Sequence, residues 1–257
     1  MSTSRKMGWK PELPDARDKK YTSVTFAATQ RKPLPPSVDL RKAFPYVYDQ
    51  GNLGSCTAQA IGAVLDYQHK RKAGSYFGPS KLFIYYNERE MEGTVARDEG
   101  AQIRSGIKSV NKIGACREEV WPYQVTKFKR KPSKEAYTDA LNYQSISYER
   151  LDHTDLHALK DCLFNTNPFV FGITLYESFY QAERTGVVPM PAVGRWDDPP
   201  IGGHAMVCCG YNDERKSFIV RNSWGDQWGF DGYCYIPYAY MTDRNLGADY
   251  WTIKEAE

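Results

Sequence analysis

The chain has 257 residues, 41% hydrophobic and 25% charged, with a formal net charge of +3. This is the composition of a folded globular protein. It leaves no electrostatic footprint for nucleic acid or an anionic membrane, and no apolar run long enough for a membrane helix.

Residues 1–36 read as an extended strap. Pro11, Pro14, Pro33, Pro35 and Pro36 break any helix, while Trp9, Leu13, Tyr21, Val24 and Phe26 supply apolar handles. Two readings stand side by side: a disordered tail, or a segment lying across the body. The start of the chain lacks the apolar core of a signal peptide. A cytoplasmic location or release by a non-classical route is therefore expected, with reduced cysteines. None of the six cysteines forms a CxxC pair, and no metal or cofactor is expected.

A globular body is expected from Ser37. Its organising stretch is 48–60, Tyr-Asp-Gln-Gly-Asn-Leu-Gly-Ser-Cys-Thr-Ala-Gln-Ala, which sets Cys56 where a glycine-rich loop meets an amphipathic helix. Ile61, Val64 and Leu65 recur at helical spacing, and Gly74 is a stop, so the helix is placed at 56–72. Unpaired N–H groups and the helix dipole at its first turn favour a thiolate. Gln50, one loop earlier, carries an amide that reaches back toward the same place. A second helix is expected after Pro79, capped by Ser80, with Leu82, Phe83 and Tyr86 buried. A third follows Asp98, with Ile103, Ile107 and Val110 on one face and Gly114 at its end. A short helix is placed at 133–140.

Beyond Tyr143 the texture changes. A strand is expected at 143–151, then a helix capped by Asp155 with Leu156, Leu159 and Leu163 inward. Strands follow at 169–176, 205–211, 217–221 and 232–236. The fold class is α+β: a helical lobe at about 37–140, an antiparallel sheet or partial barrel at about 141–257, and a cleft between them.

A nucleophilic cysteine needs a base. His69, His153 and His157 are explained by exposure or by a helix start. His204 differs, because Gly202 and Gly203 before it leave room for another backbone to approach. Asn222, at the end of a strand, offers a carbonyl oxygen to an imidazole N–H, and Trp224 can cover that bond. A glycine-rich turn with tryptophan packing would account for the glycines alone.

Gln50, Gly54-Ser55-Cys56, Gly203-His204-Ala205 and Asn222-Ser223-Trp224-Gly225 together resemble the papain family of cysteine peptidases, cathepsins included. The likeness runs from about Leu34 to the C-terminus, taking in Trp121-Pro122-Tyr123 and 172–179. It implies a papain-like two-lobed fold whose β lobe is barrel-like. It also implies a thiol-dependent endopeptidase in which Cys56 attacks, His204 is its acid–base partner, and Asn222 orients the imidazole. Gln50 and the Cys56 N–H would form the oxyanion hole, Trp224 would shield the His–Asn bond, and Gly100, Gly202 and Gly203 would line the substrate path. The implied partners are protein or peptide substrates of a monomeric enzyme, with the strap standing as an inhibitor where the family carries its propeptide.

Two positions depart from the family's Cys-Gly-Ser-Cys-Trp. Leu53 replaces a cysteine otherwise held in a disulfide, and Thr57 replaces the tryptophan. The strap is also shorter than the family's propeptide. Other readings of the same residues are a peptide ligase or transamidase, an inactive peptidase-fold binding protein, and a merely redox-active thiol.

Overall fold

The computed structural model describes residues 5–22, 33–144 and 147–254. After β1 (Ser37–Asp39), the central element is α1 (Cys56–Ala73), one residue longer than its apolar pattern suggests and closed by Gly74 in a left-handed conformation. It is not the one-sided helix that its sequence implies. Every residue from Cys56 to Gln68 is buried, because α1 packs against α2 and α3 as well as against the sheet. Polar residues deep in it, Asp66 and Gln68, have partners. Asp66 accepts from the Phe77 and Gly78 N–H groups, and Gln68 donates to the Ile253 carbonyl at 2.9 Å.

The remaining helices of this half begin and end where capping chemistry places them. α2 (Lys81–Glu92) starts at Ser80, whose Oγ accepts from Phe83 N at 3.1 Å, and ends at Gly93. α3 (Ile103–Ile113) stops at Gly114, where φ is +82° and an added Cβ would collide with the Ala140 carbonyl. α4 (Lys134–Ala140) is capped by Ser133.

In the second half, β2 (Ser147–Arg150), α5 (Leu156–Phe164), β3 (Phe169–Tyr176), α6 (Ala182–Thr185), β4 (Pro200–Asn212), β5 (Ser217–Arg221), β6 (Tyr233–Pro237), α7 (Tyr238–Met241) and β7 (Gly247–Lys254) follow in order. Asp155 caps α5 through Oδ1, as its position before Leu156 implies. The strands form one antiparallel sheet in the order β2-β7-β3-β4-β5-β6, with β1 paired to β4. The sheet is open, with β2 and β6 as its separate edges, in line with the expected α+β class and its antiparallel sheet or partial barrel.

Two sequence expectations need adjustment. Tyr143 lies outside the strand and stacks on Phe77 at 4.3 Å, while Ser145 and Ile146, inside the same expected strand, lie outside the described residues. So do Val24 and Phe26 of the strap. The sequence reading passed over β7, because buried Asp249, at φ +61°, interrupts any alternation there.

Alternation along β3 divides the core. Val170 joins Ile61, Val64, Ile107, Val207 and Trp251 between the helices and the sheet. Phe169, Phe171 and Ile173 join Leu159, Leu163, Phe218 and Tyr250 on the opposite face. The start of α1 and the middle of β4 contribute Cys56, Ala205 and Val207 to the first cluster, and the turn after β5 contributes Trp224 to the second.

Candidate active site

The loop before α1 is tied to the turn after β5 by two backbone bonds, Gln50 N to Ser223 O at 2.9 Å and Gly225 N to Tyr48 O at 3.0 Å. Ser223 Oγ also donates to Gln50 Oε1 at 2.7 Å. That bond sets the orientation of the amide, so Nε2 donates to Leu53 O at 2.9 Å and to the carbonyl of Lys6 at 3.0 Å.

Cys56 is the first residue of α1 and fully buried, and its Sγ accepts from the Ala205 N–H at 3.4 Å. His204 precedes that amide in β4. Its Nε2 bonds Asn222 Oδ1 at 2.8 Å, and the same oxygen accepts from Ser223 N at 2.8 Å. An N–H donor on Oδ1 requires that atom to be the carbonyl, so the proton of His204 sits on Nε2. Nδ1 is left as an acceptor and has no other partner among the described residues. Trp224 covers the imidazole at 5.0 Å between ring centres. Polarised this way, the histidine can take a proton from a neighbouring thiol and later return it.

Burial opposes the thiolate that the helix start favours. It pushes the Cys56 thiol up to about 12, against partial relief from the Ala205, Gly8 and Thr57 N–H groups. It also pushes His204 down to about 4, with Asn222 acting in the other direction. With the strap in place, burial works against the charged forms of both Cys56 and His204, opposing the local effect of the helix start.

The strap crosses this centre. Gly8 passes between Gly54 and Gly100, and a Cβ on either Gly8 or Gly100 would collide with the facing backbone. Gly100 is also at φ +75°. The Ala101 N–H donates to Gly8 O at 2.8 Å, Lys10 N to Ala101 O at 3.0 Å, and Trp9 N to Gly203 O at 3.0 Å. Met7 covers Gly202, and the Trp9 indole lies on Gly172 and Gly203.

Behind Trp9 is a buried polar cluster. Asp249 Oδ2 accepts from Trp9 Nε1 at 3.0 Å and from Glu12 N at 3.1 Å, and Asp249 Oδ1 accepts from Arg150 at 3.1 Å. Glu12 accepts from Trp251 Nε1 at 2.8 Å and from Arg104 N at 3.0 Å. Asp18 pairs with both arginines.

Gln50, Cys56, His204, Asn222 and Trp224 thus converge on one centre, and Gly100, Gly202 and Gly203 line the cleft beside it. Sequence reasoning passed over Ser223 as the residue orienting Gln50, although it stands next to Asn222. It also passed over the cleft roles of Asp98 and Asp249, which carry no local motif. The Leu53 side chain is buried, and all six cysteines are free thiols. Thr57 donates to buried Glu88 at 2.6 Å.

Comparison with known proteins agrees with this geometry. Residues 34–249 match the family described as papain family cysteine protease. An uncharacterized peptidase C1-like protein of Acanthamoeba polyphaga mimivirus is 42% identical, over 98% of this chain and 88% of its own length. A cathepsin B-like protein of Giardia intestinalis is 30% identical, over 81% of this chain and 70% of its own. Among solved structures, xylellain, a cysteine protease from Xylella fastidiosa, superposes with a TM-score of 0.90 at 40% identity, covering 100% of both chains.

Proposed function

Because the chain belongs to the papain family and is a cysteine-type peptidase, we propose that it is an endopeptidase working through a thioester on Cys56 and held inactive by its N-terminal strap. The observation that carries the catalytic part is the Asn222-held His204, with Nδ1 unpartnered, one residue from the amide on Cys56 Sγ. His204 Nδ1 takes the thiol proton as Sγ attacks the peptide carbonyl. The oxyanion is stabilised by Gln50 Nε2 and the Cys56 N–H. His204 then protonates the leaving amine, and water hydrolyses the thioester by the reverse proton transfers. Gln50 Nε2 already donates to a peptide carbonyl, that of Lys6. The substrates are protein or peptide chains lying in the cleft between a helical lobe, 37–140, and a sheet lobe, 141–257.

The strap is the inhibitor in this reading. It covers the thiol, supplies that carbonyl to Gln50, and fills the space on Gly100, Gly202 and Gly203. Displacing it restores access to Cys56 and His204. Titration with an irreversible epoxide inhibitor tests the assignment. Cys56 is modified in chains whose strap is loosened, and Cys56→Ala chains are not modified. Labelling of another cysteine in its place overturns the reading. Product analysis with an added amine nucleophile separates hydrolysis from ligation, since ligation leaves an amide product.

A further inference from the structure

We infer that Asp98 makes the cleft selective for substrates carrying a lysine or arginine beside the bond that is cut. This inference rests on the endopeptidase reading above. The strap presents Lys6 at the catalytic centre by two contacts. Its carbonyl accepts from Gln50 Nε2 at 3.0 Å, and its ammonium pairs with Asp98 Oδ2 at 2.7 Å. One basic residue therefore spans the distance between the oxyanion donor and this carboxylate.

Asp98 is built into the cleft wall. Oδ1 accepts from the Tyr85 hydroxyl and from Gly54 N at 3.1 Å, and Oδ2 lies 3.3 Å from the same Gly54 N–H. Gly54 is two residues before Cys56, and the Tyr85 hydroxyl in turn accepts from Gly100 N at 3.2 Å. These bonds hold the carboxylate at the mouth of the site with its side chain only 11% exposed, whereas the Lys6 side chain is 44% exposed. When the strap leaves, Oδ2 loses its cation and keeps only the weak Gly54 contact. A carboxylate held in place by Tyr85 and Gly54 but without its cation favours a substrate that brings one.

Asp49 offers a contrast on the far side of the Gln50 loop. It pairs with Arg5 at 2.6 Å, but its side chain is 51% exposed. A cation there is largely screened and adds little discrimination. The selectivity therefore belongs to Asp98.

The test uses the full chain carrying Trp9→Ala and Lys6→Ala, which frees both the cleft and the carboxylate. Two fluorogenic peptides are compared, identical except for lysine or norleucine at the residue whose carbonyl is attacked. The kcat/KM for lysine is expected to exceed that for norleucine by about tenfold to a hundredfold, and the ratio to shrink as salt is raised. Adding Asp98→Asn keeps acceptors for Tyr85 and Gly54 and removes the charge. It should bring the ratio to within about threefold of unity while norleucine turnover persists, and Asp49→Asn should leave the ratio nearly unchanged. A ratio near unity with Asp98 intact overturns the inference without any variant of Asp98. So does an undiminished ratio in Asp98→Asn. Turnover of the norleucine peptide reports the peptidase reading separately, since it does not depend on the carboxylate.

Discussion

Replacing Trp9 with alanine should unlock the active site. The indole is 7% exposed, rests on Gly172 and Gly203, and donates to Asp249 at 3.0 Å. A buried tryptophan removes about 200 Å² from water, which at ~25 cal/mol/Å² sets an upper bound of about 5 kcal/mol. Trp→Ala replacements in packed sites cost about 3–5 kcal/mol. Asp249 keeps Arg150 and the Glu12 N–H as partners, so no buried charge is stranded, and the low end of that range applies. A loss of about 3–4 kcal/mol from the docked form alone raises the open fraction by about two to three powers of ten. The assay is the rate at which Cys56 is alkylated by a small neutral reagent, read by peptide mapping because all six cysteines are buried. The denatured chain sets the ceiling. Equal rates in Trp9→Ala and in the parent chain would refute the reasoning, as would a parent chain already reacting at the ceiling.

Three further outcomes follow from the site. Gln50→Ala should lower kcat by about two to three powers of ten in strap-loosened chains, with Cys56 still alkylated, because it removes a donor to the developing oxyanion. Asn222→Ala should lower kcat by about two powers of ten and shift the pH dependence of alkylation, since the His204 tautomer is no longer held; an unchanged pH profile would assign Asn222 a packing role. Strap docking should weaken as pH rises. Burial, and then the neighbouring Glu12 carboxylate, raise the Asp249 carboxyl in the docked form to about 7, so the docked form holds this proton more tightly than the released form. The stabilisation is full below the ordinary carboxylate range and is lost as pH climbs from there through about 7. Arg104, Arg150, Asp18 and Trp9 face the same cluster, and the measurement is made in a Cys56→Ala chain. Hydrogen exchange of the Trp9, Lys10 and Ala101 amides, corrected for intrinsic rate, should show protection falling over this window; protection that grows with pH would contradict the assignment.

Much of this site was legible because its chemistry is local. Cys56 at a helix start, two glycines before His204, and Asn222-Ser223-Trp224 each sit in a short motif whose backbone is set by nearby residues. Ser80 and Asp155 announced their helices for the same reason. What was illegible depends on long-range packing. The full burial of α1 comes from being covered on both sides, which no periodicity encodes. β7 holds Asp249 in a left-handed conformation, and its partners Trp9, Glu12 and Arg150 come from distant parts of the chain. Asp98 belongs to no motif, and its role appears only once Lys6 is seen beside it. The burial that works against a thiolate at Cys56 was illegible for a related reason: the helix dipole acts locally, whereas the residues that bury Cys56 come from distant parts of the chain.

The central claim is that Cys56 carries the acyl group in peptide hydrolysis. It is tested most directly by acid-quenching a strap-loosened chain during turnover of an activated peptide ester and measuring its intact mass and its peptide map. The account predicts a mass increase equal to the acyl portion, located on the peptide containing Cys56, sensitive to hydroxylamine and absent from Cys56→Ala. Turnover that persists in Cys56→Ala, or an acyl group located on another residue, would contradict it.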